Sequence, residues 1–168
     1  MLSFHLIGLP SDSNSSFERG AAQAPAAVRV ALLSARGNLA CENGMEVGRD
    51  FHLVDQGDLP LDETPGDDQQ IGEAVCEAVR AGAIPILLGG DHAVTAPILA
   101  ALHSHYPDIS ILHFDAHPDL YDDFEGNPRS HASPFARIME RGHAARLVQV
   151  GIRTMNAACQ AQAERFGV

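Results

Sequence analysis

The sequence predicts an α/β protein built on a parallel sheet. Two short apolar segments, 84–88 and 109–114, have the length and the continuous hydrophobicity of strands that are buried on both faces. Segments with strand character alternate with segments of helical periodicity from one end of the chain to the other. This alternation favours β-α-β units, in which a right-handed crossover helix joins two parallel strands.

Each predicted element carries a local signal. The first strand, 4–9, is followed at once by a proline, and the first helix, 26–35, has a proline near its start. In the helix 68–82, Ile71, Val75 and Val79 recur at a spacing of four, which predicts one buried stripe. The other predicted elements are the strands 51–54 and 146–151 and the helices 93–105, 132–141 and 156–166.

Three potential metal ligands follow the strand 109–114 at every second position: Asp115, His117 and Asp119. In an extended segment, alternate side chains point to the same side, so these three groups are expected to converge. Two carboxylates and an imidazole suit a divalent ion of intermediate hardness, such as manganese, zinc or iron. The alternative interpretation is a polar turn that is rich in Asp and His and binds no metal.

The strand 84–88 also ends in residues that can serve a site. It runs into Gly89 and Gly90, which let backbone approach closely, and then into Asp91 and His92. Open α/β sheets bind ligands at the carboxyl ends of their strands. His92 is therefore expected to share one crevice with the ligands that follow the strand 109–114.

Three motifs in this order resemble those of the ureohydrolase family, which contains arginases, agmatinases and formimidoylglutamases. They are Gly-Gly-Asp-His at 89–92, Asp-Ala-His-Pro-Asp at 115–119 and Ser-His-Ala-Ser-Pro-Phe at 130–135. The resemblance extends from an opening Gly-Leu-Pro to Val-Gly-Ile-Arg at 150–153. It implies a three-layer α/β/α fold with a parallel sheet, and it identifies residues 1–168 as the N-terminal part of a single ureohydrolase domain.

The resemblance also implies a binuclear Mn²⁺ centre. Asp115 would bridge the two ions, His92 and Asp119 would bind one of them, and His117 would bind the other. Asp119 would in addition accept a hydrogen bond from the bridging hydroxide that attacks the substrate. Two divalent ions that share a water lower the pKa of that water toward neutrality. The guanidinium carbon is stabilised by resonance, so it requires a stronger nucleophile than neutral water.

A further histidine, His131, is the candidate for acid–base catalysis. The resemblance assigns it to the family's His-Gly-x-Pro-Phe-like loop, although Ala132 stands in place of the usual glycine. Histidine titrates near neutral pH and can pass a proton to the departing amine. Asp91 and His113 lie beside the predicted ligands in the sequence. Each could be a hydrogen-bond partner that orients a metal ligand, or it could be a core or turn residue, and the two interpretations are equally good. The remaining histidines are interpreted as surface or packing residues: His5, His52, His103, His105 and His143.

The substrate implied by the resemblance is a small cationic guanidino compound. Arginases usually continue the Asp-Ala-His-x-Asp motif with an asparagine, whereas this chain continues with Leu-Tyr and then Asp122 and Asp123. Carboxylates there would repel an α-carboxylate, which favours the agmatinase-like branch and hydrolysis of agmatine to urea and an amine. Asn127 follows a glycine as in arginases, so arginase or guanidinobutyrase activity stays an alternative.

The chain is short for this family, whose members are roughly twice its length. Their second half supplies further metal-binding aspartates, and its strands lie between those that lead to His92 and Asp115. The sequence is therefore predicted to be truncated, with C-terminal strands missing and an incomplete metal site. The alternative of a different class is a non-catalytic half-domain that binds a metal or a partner subunit, and metal content separates the two.

Composition limits the other partners. The formal net charge of −11 opposes binding to nucleic acid or to an anionic membrane and is compatible with a cationic substrate. The three cysteines have no paired spacing, which indicates reduced thiols. The sequence has no signal-peptide pattern and no apolar run of membrane-spanning length, so a cytoplasmic location is expected. The resemblance implies a homo-oligomer, either a trimer or a hexamer.

Overall fold

The computed structural model describes residues 1–168 and confirms the alternation of strands and helices. The elements in order are β1 (Leu2–Leu9), α1 (Ala24–Leu32), β2 (Phe51–Asp58), α2 (Asp67–Arg80), β3 (Ile84–Gly89), α3 (Thr95–His103), β4 (Ser110–Phe114), α4 (Pro134–Glu140), β5 (Arg146–Val150) and α5 (Ala157–Phe166). All ten predicted elements are present, and the differences are confined to their ends.

The residues form two compact units, one made of Met1–Ser13 with Arg19–Gly90 and the other of Asn14–Glu18 with Asp91–Val168. The first contains the sheet β2-β1-β3 and the second contains β4-β5, and every strand pair is parallel. The parallel α/β class is thus confirmed, but the strands form two sheets where the sequence predicted one. The reason is that β3 and β4 are each paired on one side only.

The core of the first unit is built around β1, which is hydrogen-bonded to a neighbour on both sides. Leu6, Ile7 and Leu9 are almost completely buried, and α1 and α2 both pack against β1 and β3. At the end of β3 the backbone approaches β1 closely. A Cβ atom added to Gly90 would lie 2.0 Å from the carbonyl oxygen of Ser11, so only glycine fits there. The predicted close approach at this glycine is confirmed.

The buried stripe of α2 differs slightly from the prediction. Ile71 and Val75 are 2% and 0% exposed, as expected, but the next buried position is Ala78, and Val79 is only half-buried. A helix has 3.6 residues per turn, so a stripe that faces one direction alternates steps of four and three. The prediction for Val79 is therefore wrong.

Val75→Ala should lower the free energy of unfolding by about 1.5–3 kcal/mol, because Val75 is fully buried and the smaller side chain loses apolar contact area. Val30→Ala is the matched control, since Val30 also lies in a helix of this unit but is 73% exposed. We expect the control to change stability by less than about 0.5 kcal/mol. Urea denaturation of both variants measures this, and equal losses would contradict the assigned core.

β2 is longer than the predicted 51–54, because residues 55–57 form a bulge within the strand and do not end it. Gly57 has a φ of 79°, and the register with β1 shifts at this point. Arg29 holds the bulge: its guanidinium contacts Asp55 at 2.9 Å and donates to the carbonyl oxygen of Gly57 at 2.8 Å, and it also pairs with Asp58. The strand therefore continues through a sequence that reads locally as a turn.

The second unit packs the β4-β5 sheet and its helices around Leu120, Phe135, Ile138, Leu147 and Cys159, all of which are at most 2% exposed. α3 packs against α4. α5 begins where the side chain of Asn156 accepts a hydrogen bond from the Cys159 amide and ends at Gly167, which has a φ of 70°. No helix of the chain is both long enough and apolar enough to span a bilayer.

Candidate metal centre and catalytic pocket

Four side chains of the second unit converge on one point. They are His92, His113, Asp115 and Asp119, and their potential ligand atoms all lie within 4.8 Å of one another. Three of the four predicted metal ligands are therefore brought together as expected. His113 takes the fourth place in this cluster, and His117 lies outside it.

His92 is positioned by a capped turn. Asp91 is buried, and its side chain accepts hydrogen bonds from the amide of Ala93 at 2.8 Å and from the amide of Asn14 at 2.9 Å. The first of these bonds caps the 3-10 turn that starts at His92. Asp91 therefore has the turn role. It holds the His92 ring so that Nδ1 lies 2.6 Å from Oδ2 of Asp119.

Asp119 reaches the cluster through a bend, which corrects the sequence argument. β4 ends at Phe114, so the segment 115–119 is not an extended strand with alternating side chains. Asp119 has a φ of 48°, in the left-handed region that aspartate tolerates better than most residues. Its carbonyl oxygen accepts the amide of Phe135 at 3.2 Å, which ties the bend to the start of α4.

Asp115 lies between two histidines. Its Oδ1 accepts the amide of His117 at 2.7 Å and lies 3.0 Å from Nδ1 of that ring, while its Oδ2 lies 3.5 Å from Nε2 of His113. Burial raises the pKa of Asp115, but the hydrogen bonds from the backbone and ring of His117 outweigh burial and hold the pKa below its ordinary value. The side chain of Asp115 is thus a carboxylate anion, with Oδ1 toward His117 and Oδ2 toward His113.

His117 is not in the four-residue cluster, although it contacts the cluster through Asp115. Its side chain is 62% exposed. The chain bends after Phe114 instead of continuing as a strand, so the side chains of Asp115, His117 and Asp119 do not alternate as the prediction assumed. The ring of His117 still lines the same cavity as the cluster.

His113 is buried and fixed from several directions. Its ring centroid lies 4.4 Å from that of Phe135 and 5.3 Å from that of His92. Burial, followed by the neighbouring His92, lowers the pKa of His113. Gln149, which faces His113 across the β4-β5 ladder, places its amide nitrogen 3.1 Å from His113 Nδ1. Sequence reasoning did not single out Gln149, and the available signal was a polar residue between the apolar Val148 and Val150.

The cluster opens onto a cavity of about 500 Å³, within the range of small-molecule sites. The predicted acid–base residue His131 lines this cavity, and its Nε2 lies 2.8 Å from Oγ of Ser16. The amide of His131 donates to the carbonyl oxygen of Asn14 at 3.2 Å. The polar segment that precedes Arg19 in the sequence therefore supplies part of the pocket wall. The other lining residues include Phe114, Pro118, Tyr121, Phe124, Ala132 and Thr154.

The two carboxylates that were expected to repel a substrate carboxylate do not line this cavity. Asp122 pairs with Nη2 of Arg137 at 2.7 Å, and the ion pair with Arg137 holds the pKa of Asp122 below its ordinary value. Asp123 accepts the amide of Gly126 at 2.6 Å. Their charges are engaged in local structure, so the electrostatic argument against an α-carboxylate loses its basis.

The donor set fits a divalent metal ion. It combines two carboxylates with imidazole nitrogens, and the ligand atoms already converge in the partly buried cluster. The close contact between His92 and Asp119 brings a nitrogen and an oxygen ligand to the same point. A purely structural ion pair would not require Asp115 and a second histidine beside it.

Comparisons with known proteins identify the family. The sequence model of the arginase family matches residues 2–168. Arginase 1, mitochondrial, of Arabidopsis thaliana is 44% identical over 97% of this chain and 50% of its own length. The agmatinase of Bacillus subtilis is 33% identical over 89% of this chain and 51% of its own length. The solved structure of arginase from Medicago truncatula has a TM-score of 0.90 at 40% identity, covering 98% of this chain and 54% of that one.

The chain thus spans about half the length of the curated relatives that it matches. The family match nevertheless covers almost every residue of this chain, and the α/β fold is similar to that of a solved arginase structure. This chain belongs to the arginase family of ureohydrolases.

Proposed function

We propose that this chain supplies the metal-binding part of an active site that hydrolyses a guanidino compound to urea and an amine. The observation that carries the proposal is the convergence of His92, Asp115 and Asp119 at a cavity that His131 also lines. Membership of the arginase family supports this reaction class. Because the chain spans about half the length of its relatives, the activity is proposed for a protein of their length that contains this chain, as one part of a single domain.

The metal in this proposal is Mn²⁺, and the residues that would hold it are His92, Asp115 and Asp119, with His117 beside Asp115. A carboxylate-rich set with imidazole suits manganese better than it suits thiophilic ions. A bound divalent ion lowers the pKa of water and so provides a nucleophile at neutral pH. Asp115, with one oxygen toward His117 and the other toward the cluster, has contacts that fit a shared ligand.

Two residues have proposed roles in proton transfer. The carboxylate of Asp119 accepts a proton from the attacking water, so that the water oxygen can form a bond to the guanidinium carbon. His131 then donates a proton to the nitrogen whose bond to that carbon breaks, and the released amine takes up the second water proton as the carbon–oxygen double bond of urea forms. The Ser16 hydroxyl lies 2.8 Å from His131 Nε2 and supports the ring in the orientation seen.

L-Arginine is the first candidate for the substrate. The relatives that share 41–44% identity with this chain are named arginases, whereas the agmatinase of Bacillus subtilis shares 33%. The preference for agmatine rested on the missing asparagine after Asp119 and on the carboxylates at 122 and 123, and these carboxylates do not line the cavity.

Agmatine is the second candidate, and one observation favours it. The residues of this chain that line the cavity include no lysine and no arginine, so none of them offers a cation to an α-carboxylate. The aromatic rings of Tyr121 and Phe124, 4.9 Å apart, would suit the apolar methylenes that both substrates carry.

A urea-release assay with both compounds tests the proposal. In a protein of the relatives' length that contains this chain, loaded with Mn²⁺, we expect arginine to give the higher kcat/KM. A higher value for agmatine would support the second candidate. Metal bound tightly but no urea from either compound would instead support a non-catalytic metal-binding role. Removal of the metal by a chelator should abolish urea release, and re-addition of Mn²⁺ should restore it.

A further inference from the structure

The orientation of the Gln149 amide fixes which nitrogen of His113 carries the ring proton. Nε2 of Gln149 lies 2.6 Å from the carbonyl oxygen of Pro118 and 3.1 Å from Nδ1 of His113. A carbonyl oxygen can only accept, so the amide nitrogen and not the amide oxygen must face both partners. Nδ1 of His113 then has to be the acceptor. In the neutral ring, the proton consequently resides on Nε2.

The protonated nitrogen faces Asp115. Nε2 of His113 is buried without a hydrogen-bond partner, and the nearest carboxylate oxygen, Oδ2 of Asp115, lies 3.5 Å away. A buried N–H that makes no hydrogen bond is costly, so a small movement of this carboxylate toward the ring is favourable. The ring itself is held in place, because Phe135 and His92 pack against it and Gln149 binds its other nitrogen.

We propose that His113 is a positioning residue, which donates a hydrogen bond from Nε2 to Asp115, and that it is not a fourth metal ligand. The inference rests on the proposed function only in taking Asp115 as a metal ligand. An imidazole nitrogen that carries a proton has no free lone pair for a cation, although His113 lies in the same cluster as the ligands. Metal-binding groups are commonly oriented by such outer hydrogen bonds.

This arrangement fixes the Asp115 carboxylate from both sides. Oδ1 accepts the His117 amide at 2.7 Å, and Oδ2 would accept from His113. Each oxygen keeps a further lone pair for a cation. Gln149, through His113, would thus set the orientation of the carboxylate that the family resemblance makes the shared ligand.

Nitrogen NMR of the metal-free chain tests the tautomer directly. With ¹⁵N-labelled histidine, we expect His113 to show a pyrrole-type Nε2 and a pyridine-type Nδ1, assigned by the loss of these signals in His113→Gln. The opposite tautomer would overturn the proposal. Addition of Mn²⁺ broadens nearby signals, so Zn²⁺ is the probe for the bound state. Loss of the proton from Nε2 when Zn²⁺ binds would also overturn the proposal, because it would make His113 a ligand.

Metal affinity of two variants tests the function of this donor. His113→Gln can place an amide N–H near the position of Nε2, so it should bind Zn²⁺ and Mn²⁺ almost as tightly as the unaltered chain. His113→Leu has no donor and should lose about 10–100-fold in affinity. His143→Leu is the matched control, since His143 does not line the cavity, and its affinity should not change.

Two other results would contradict a positioning role. Equal losses in His113→Gln and His113→Leu would indicate a direct ligand, because an amide is a much weaker ligand than imidazole. Unchanged affinity in a folded His113→Leu variant would indicate packing alone. If the leucine variant does not fold, the tautomer measured in the unaltered chain still decides. Failure of the chain to bind any metal would count against the proposed function, but it would leave the tautomer result standing.

Discussion

Asp119→Asn should lower the affinity of this chain for divalent metal by more than about 100-fold, beyond the loss typical of an outer partner. The carboxylate of Asp119 contacts Nδ1 of His92 at 2.6 Å and belongs to the four-residue cluster. An amide keeps the size of the side chain but removes its charge. Asparagine also tolerates the left-handed φ of 48° at this position, so the fold should be preserved. Isothermal titration with Mn²⁺ measures the change and should give one site for the unaltered chain.

Asp123→Asn is the matched control for this experiment. Asp123 lies in the same segment and accepts a backbone amide, but it does not line the cavity. Its replacement should leave the metal affinity unchanged. Circular dichroism of both variants checks the fold. If Asp119→Asn folds and binds Mn²⁺ as tightly as the unaltered chain, the cluster is not a metal site.

His131→Ala should lower turnover by about 10²–10⁴-fold while the metal content stays normal. The expectation follows from the location of His131, which lines the cavity but does not belong to the four-residue cluster. Loss of a general acid slows departure of the amine without removing any group that holds the ion. Metal content and kcat are measured on one preparation of a protein that has the relatives' length and contains this chain.

Two controls separate catalysis from loop structure. His105→Ala removes an exposed histidine outside the cavity and should leave kcat unchanged. Ser16→Ala removes the hydroxyl that lies 2.8 Å from His131 Nε2 and should give a smaller loss than His131→Ala, since the ring stays in the pocket. Normal turnover in His131→Ala together with lower thermal stability would mean that His131 only orders its loop.

Much of the site could be predicted from the sequence because its residues follow strand ends. The apolar segments that became β3 and β4 are short, and the residues that follow them are polar and able to bind metal. Ligands bind at the carboxyl ends of parallel strands, and this rule predicts that His92 shares a crevice with Asp115 and Asp119. The structure confirms that these three side chains converge. This rule needs only the order of elements, so local sequence suffices for it.

The choice between His113 and His117 could not be predicted in the same way. Alternation along a strand holds only while the strand continues, and β4 ends at Phe114. Beyond that point, the bend that ends in the left-handed Asp119 decides which side chains meet. His113 lies in β4 itself, and the pairing of β4 with β5 brings Gln149 to its ring.

The sequence by itself determined the order of ten alternating elements, the parallel α/β class and the motifs that identify the family. These depend on hydrophobic periodicity and on residues close together in the chain. Only the tertiary structure decided that Ala78 and not Val79 is buried, that Asp122 pairs with Arg137 away from the cavity, and that the strands form two sheets. Each of these depends on which distant groups come into contact, and no local pattern records that.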